Sequence, residues 1–434
     1  MSNRQESDRR VVVTGVGVVS SIGIGRAPFW ESLAAGRSGI APIDQMDQSA
    51  APRNIGGEVK DFNEKSAKNW INKKSIKVMC REIQLGVASA TLALEDAAIP
   101  AGSVDPERLG VDFGANLMLS PPQVLADACF ACVDPETQQF QHERWGTQGL
   151  SNMQPLWLLQ YLPNMPACHI GIAADARGPN NSMTMAEASG NMTILEASRI
   201  VARGSADVMI TGTTGTTLHP VQTLHAALWD QLSDFDGPPE AACRPFDRDR
   251  RGQVVAEGAC TLILEDEQHA QNRGAKILGH VLGASSACVN DRSGKADIKR
   301  ALVLAIRNAL RQAGLKPSDI GHVHAHGLGT HESDRLEAQA ILEVFTEESR
   351  RVPVTALKSY IGNPGASCGS LEIAASLLSL QQGTVFPTLN FQTPDPECPL
   401  NVVRGEPLPV ENRVFLNINV TRMGQASAAI LRAA

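Results

Sequence analysis

The spacing of apolar and polar positions divides the chain into short strands and longer helices. Arg10 to Ser20, RVVVTGVGVVS, is a β-branched run that reads as a buried strand closing in a Gly-punctuated turn. Residues 82–98, EIQLGVASATLALEDAA, place small and apolar residues at helical spacing and stop before Pro100. A helical stretch from Thr193 to Arg203 leads into a strand from Val208 to Gly212. After Asp266 the pattern restarts: strand Lys276 to Leu282, helix Lys299 to Ala313 with Gly314 as its C′ residue, strand Gly321 to Ala325, helix Ser333 to Val344. Alternating strands and helices predict an α/β protein with two halves, 1–270 and 271–434.

One region breaks the pattern. Residues 115–168 are rich in Gln, Pro and Met (LSPPQ, ETQQFQHE, NMQPLWLLQYLPNMP) and make a poor source of strands. They are expected to form a helical insertion over one face, and a candidate binding or dimer surface.

The chain has 434 residues, 43% of them apolar, which supplies a large core and excludes a disordered or fibrous protein. With 39 Lys+Arg against 46 Asp+Glu the formal charge is −7, so no long-range field draws it to nucleic acid. No run approaches the ~18 apolar residues of a membrane span, and the opening MSNRQESDRR is polar where a signal peptide is apolar. A cytoplasmic protein is expected. The nine cysteines are odd in number and scattered through apolar runs, and read as thiols in a reducing compartment. Cys129 and Cys132 have redox or zinc spacing, but no second CxxC follows, and they read as structural; no metal or cofactor is expected. Gly15 and Gly17 begin a dinucleotide fingerprint that Ser20 interrupts, which leaves a tight turn.

Several segments, taken together and in order, resemble the elongating β-ketoacyl-ACP synthases. They are VVVTGVGVVSSIG near the start, GPNNSMTMAEASGN at 178–191, RPFDRDRRGQVVAEGA at 244–259, AHGLGTHESDRLEAQA at 325–340, KSYIGNPGASCGSLE at 358–372 and the late FPTLNFQTPDPEC. The resemblance covers nearly the whole chain. It implies a thiolase-type fold, two similar α/β halves in a five-layer αβαβα sandwich, and a role in fatty acid or polyketide biosynthesis with acyl carrier protein as partner. It also implies a dimer, of two copies or with an active ketosynthase, in which the strand leading into Ser182 pairs with its mate.

The family uses a Cys at a helix tip to take the acyl chain as a thioester, and two His for decarboxylation and condensation. In the matching motif, Thr184 to Ser189, Glu187 stands at the nucleophile position. The first His is matched by His326, followed by Asp334 and Glu337; the Lys is matched by Lys358; the second His is replaced by Asn363. The Gly-Phe-Gly-Gly gate is matched by Val420 to Gly424, with Arg422 in place of the gating Phe. Met185, Ser189, Thr330 and Arg422 are the substrate-pocket candidates carried by the resemblance.

The field of a helix N-terminus that lowers a Cys pKa also stabilises a carboxylate, but a carboxylate forms no durable thioester. Condensation through the usual acyl-enzyme is therefore excluded at Glu187. Cys168 and Cys368, near the motif segments, read as packed core thiols and not as substitutes. His326 is either a structural or a catalytic His. Lys358, if buried, needs an acidic partner, and Glu337 is the candidate. Asn363 can donate a hydrogen bond but cannot carry a proton. Arg422 either closes the tunnel by pairing with Glu187, binds an anionic substrate, or lies exposed in a relaxed loop.

Two functions follow. One is a non-condensing partner subunit similar to the chain-length factors of type II polyketide systems, which lack the Cys and shape the cavity of an active ketosynthase. The other is an acid/base enzyme acting on acyl-ACP or acyl-CoA thioesters, as a decarboxylase, hydrolase or dehydratase, through Glu187 and His326. A synthase using an unexpected residue and a carrier-protein scaffold complete the alternatives.

Overall fold

The computed structural model of the chain describes residues 9–45, 51–346 and 351–434, so most of the polar opening segment lies outside the described residues. Among these, the strands of three or more residues are β1 (Val11–Ser20), β2 (Leu109–Ala115), β3 (Asn180–Met183), β4 (Val208–Thr216), β5 (Glu257–Asp266), β6 (Gly279–Cys288), β7 (His322–His324), β8 (Pro353–Thr355), β9 (Val414–Val420) and β10 (Gln425–Ala433).

Their order is β1-β5-β4-β2-β3 in the first half and β6-β10-β9-β7-β8 in the second. Directions repeat as well. β2 runs parallel to β3 and β4, while β5 is antiparallel to β4 and β1. β7 runs parallel to β8 and β9, and β10 is antiparallel to β9 and β6. The two sets join where Val11–Val13 of β1 pair with Gly279–Val281 of β6. A chain that builds the same five-stranded unit twice accounts for the restart in its hydrophobic pattern after Asp266.

The helices that matter are α1 (Arg81–Asp96), α2 (Met165–Ala174), α3 (Ser189–Ala202), α4 (Pro220–Trp229), α5 (Ile298–Ala313), α6 (His331–Val344) and α7 (Cys368–Gln381). α1 and α2 cover the outer face of the first unit, and α5 and α6 stand against the second. α3 packs on β2 and β4 and also on β6 and β10; α7 packs on β5, β9 and α3. These two helices are the middle layer of a five-layer αβαβα arrangement. α7 is buried from Cys368 to Leu380, which fits its apolar and small residues on all sides.

One expectation changes. Gly15 and Gly17 make no turn, because β1 continues through both and pairs with β5. A Cβ on Gly17 would lie 2.0 Å from the Ser89 carbonyl oxygen, so the missing side chain lets α1 lie directly on the strand. The segment 115–168 is a series of short helical turns, including Ala126–Ala131. It leaves Leu117, Phe130, Leu150, Leu156 and Leu158 at least half exposed. β3 ends the sheet, with β2 as its only neighbour.

Candidate functional site

The site forms where the starts of α3 and α7 meet. A Cβ on Gly190 would be 2.6 Å from the Ser370 amide nitrogen, so only glycine lets the two helix ends touch. Just before α3, Ala186 has φ 44, an uncommon left-handed turn for a residue with a side chain. This turn carries Glu187 in a 3₁₀ segment, Ala186–Ala188, that runs into α3.

Glu187 Oε1 accepts a 3.3 Å hydrogen bond from Asn363 Nδ2, which also donates to Gln253 Oε1 at 2.7 Å. Asn363 Oδ1 accepts from the Gly365 amide and from the Cys368 thiol, at 3.1 and 3.2 Å. The Asn363 amide is thereby fixed with its donor face towards Glu187. Burial raises the Glu187 pKa and Asp230 adds to the rise, while its own N–H, Asn363 and Lys358 pull it back.

Lys358 is buried and donates to Glu372 Oε1 at 2.7 Å and to the His326 carbonyl at 2.7 Å. Burial opposes its charge, but the bonded Glu372 carboxylate favours it and its pKa is raised. The expected partner Glu337 does something else: its oxygens accept from the amides of His326 and Gly327 at 2.6 and 2.8 Å. Glu337 shapes the loop, and Glu372 is the ion-pair partner. Asp334 likewise accepts from the Phe246 and Gly329 amides, with buried Arg250 3.6 Å away.

His326 Nδ1 faces Lys358 Nζ at 3.3 Å and Asn419 Nδ2 at 3.5 Å. Two donors on Nδ1 make it an acceptor and leave the proton on Nε2. Burial, with Lys358 adding to it, drives the His326 pKa well below the usual imidazole range. Asn419 also donates to Glu372 Oε2 at 2.8 Å, which completes a Lys358–Glu372–Asn419 cradle around the imidazole.

Of the three readings of Arg422, the pairing with Glu187 does not form and the side chain is exposed. Arg422 is 55% exposed, lies 4.0 Å from Asp230 and has its guanidinium 5.6 Å from the Trp229 ring centroid. It fastens the loop after β9 to the end of α4. Two pocket candidates are also corrected: the Ser189 hydroxyl is buried and accepts from the Met185 amide at 3.0 Å, and Thr330 caps α6. Met185 is half-buried at the turn into Glu187. Cys368 begins a helix, but burial raises the pKa of its thiol and keeps it protonated. Among the described residues no group of His, Cys, Asp and Glu is placed to hold a metal ion.

Sequence reasoning missed Gln253, Glu372 and Asn419. Only Glu372 left a signal: a carboxylate within an apolar helix demands a cation, and Lys358 precedes it by 14 residues.

The β-ketoacyl synthase N-terminal domain model matches residues 8–270 and the β-ketoacyl synthase C-terminal domain model residues 277–392. The chain belongs to the β-ketoacyl synthase family. It is 33% identical over 399 residues to the 3-oxoacyl-[acyl-carrier-protein] synthase 2 of Synechocystis sp., covering 92% of each chain. Among solved structures it resembles the ishigamide ketosynthase/chain length factor, with a TM-score of 0.86, 29% identity and 98% of this chain and 99% of that one covered. It also resembles AntDE:AntF, a type II PKS acyl-carrier protein in complex with its ketosynthase bound to the hexaketide, with a TM-score of 0.82, 26% identity and coverage of 98% and 100%. The thiolase-type fold and a place among the ketosynthases of fatty acid and polyketide biosynthesis follow from these likenesses. No helix of the described residues is long and apolar enough to cross a membrane.

Proposed function

We propose that this chain is a non-condensing partner subunit, similar to a chain-length factor, that pairs with an active ketosynthase and works with acyl carrier protein. The observation that carries this reading is the Glu187–Asn363–Gln253 chain of hydrogen bonds, which fills the nucleophile position with a carboxylate and the second His position with an amide. The carboxylate forms no durable thioester, and the amide carries no proton in the condensation. The nearest thiol, Cys368, is buried and protonated.

Docking on a ketosynthase uses the open edge of β3, with the exposed apolar residues of the 115–168 insertion beside it; Ser182 of β3 donates to the Pro163 carbonyl at 3.3 Å, which ties the two together. Reconstitution tests the reading. The chain alone, incubated with malonyl- and acyl-carrier protein, is expected to give no condensation product and no mass increase for an acyl-enzyme. Together with an intact ketosynthase it is expected to alter product chain length. Condensation by the chain alone overturns the reading.

A second reading is favoured by one observation, the absence of an Arg422 contact to Glu187. A carboxyl group with a raised pKa and no cation bonded to it is suited to acid/base work on a thioester, with the His326 Nε2–H as donor to a developing oxyanion. Turnover of malonyl-carrier protein to acetyl-carrier protein, lost in Glu187→Gln, distinguishes it.

A further inference from the structure

Three polar residues on neighbouring strands form one rung that ends at the open edge of the sheet. Asp112 of β2 is the register partner of Thr211 in β4 and of Asn181 in β3. Register partners share a face of the sheet. That face is turned to α3, since a Cβ on Gly114, two residues beyond Asp112, would meet Ser189 and Thr193. Asp112 and Thr211 are 0% exposed, and neither the two carboxyl oxygens nor the Thr211 hydroxyl has a hydrogen-bond partner.

Burial raises the Asp112 pKa to about 8, Glu196 of α3 adds to it, and the nearby Asn181 amide offsets it in part without reaching hydrogen-bond geometry. Among the described residues no cation pairs with Asp112. Arg203 lies 3.9 Å from Glu196 and donates to the Ser205 hydroxyl at 3.2 Å, with its side chain 56% exposed. A buried carboxyl group without a partner is unfavourable, and an aliphatic residue would fill the rung without that penalty. Beyond Asn181 the sheet stops, so the next position on the rung belongs to whatever strand docks there.

We propose that the rung Thr211–Asp112–Asn181, with Glu196 beneath it, is an acidic socket that selects a second, non-identical chain of the same fold carrying a Lys or Arg on the strand that adds to β3. The inference rests on the partner-subunit reading above. A copy of this chain, docked about a twofold axis, presents only the Asn181 amide at the edge, with its own Asp112 one strand further back. In such a pair both buried Asp112 carboxyl groups stay without a cation, which discriminates against the copy. The exposed Arg199, on the same helix as Glu196, is a cation that a copy would also bring, and the test includes it.

The experiment uses the full chain and a differently tagged probe copy, Asp112→Asn/Asn181→Lys, which offers a cation at the edge without a socket of its own. Native mass spectrometry of the mixture is expected to show mixed dimers at about fivefold or more over random assortment. The excess is expected to vanish when the socket member carries Asp112→Asn. Asp112→Asn alone is expected to strengthen self-association by about tenfold in Kd. If that variant does not fold, Asp112→Val replaces it, with thermal unfolding as the check. Random assortment, or no mixed dimer, overturns the proposal. So does weaker self-association of Asp112→Asn, which would show that a copy supplies the cation through Arg199. The pairing is measured without substrate, so its failure leaves the reconstitution assay standing, and the reverse.

Discussion

The Asn363 amide points its nitrogen at the Glu187 carboxyl, 3.3 Å away, and Gln253 holds it in that orientation. The residues that the motif resemblance sets at the nucleophile and second His positions are therefore bonded to each other. The consequence is that restoring either one alone restores no chemistry. Glu187→Cys is expected to remain inactive in condensation, because Asn363 cannot carry a proton. Acyl transfer to the new thiol, followed by intact mass, separates loading from condensation, and a condensation rate near that of an intact ketosynthase contradicts the expectation.

Glu187→Gln is expected to leave stability unchanged or slightly raised, since it removes a carboxyl group whose burial raises its pKa and keeps a polar partner for Asn363. Chemical denaturation measures this. A loss above about 2 kcal/mol would mean that the charged form is tied more tightly than these contacts allow.

Removing one member of the buried Lys358–Glu372 pair leaves the other charge uncompensated. Lys358→Met is expected to cost about 3–5 kcal/mol of stability, and Lys358→Met/Glu372→Leu to recover much of it. Equal loss in the single and double variants would show that the Lys358 bond to the His326 carbonyl, and not the ion pair, is the main contribution.

Stability is expected to fall on both sides of a mildly acidic plateau. Burial raises the pKa of Glu82, Asp112 and Glu337 to about 8. The folded state holds protons there that the unfolded chain has released, so stability is lost as pH rises from about 4 through 8. Burial lowers His322 to about 3, and His324 and His326 well below the usual range. The unfolded chain binds protons that these rings refuse, so stability is lost as pH falls below about 6.5. The two trends oppose each other between about 4.5 and 6.5, the histidines alone act below, and the acids alone act above. Thermal unfolding across pH checks the shape, and Asp112→Asn should flatten its alkaline side.

Arg422→Ala is expected to change tryptophan fluorescence, because the guanidinium 5.6 Å from the Trp229 ring is removed. An exposed cation–π contact is worth about 0.5–1 kcal/mol, so stability should change little. A shift in the Glu187 pKa, followed by NMR, would contradict the placement of Arg422 away from that carboxyl.

The repeated α/β pattern, the buried β1, the α5 end at Gly314 and the substituted motif positions could all be read from residues in sequence, because each depends on local periodicity or on a motif match. Gly314 does adopt the left-handed C′ geometry, with φ 66. Tertiary structure alone decided which groups touch. Gly15 and Gly17 looked like a turn because a missing side chain has the same signature whether it frees the backbone or admits a helix, and only the position of α1 distinguishes these. Glu337 is the acid that the motif offers to Lys358; the turn after Ala325 gives it to backbone amides, and the depth of α7 gives Glu372 to the lysine. Arg422 has a long side chain that could have reached several anions, and the end of α4 lay closer than Glu187. The socket at Asp112 was invisible in the sequence, since a lone Asp in a strand shows its cost only once the sheet has placed it beside Thr211, Asn181 and Glu196 with no cation to meet it.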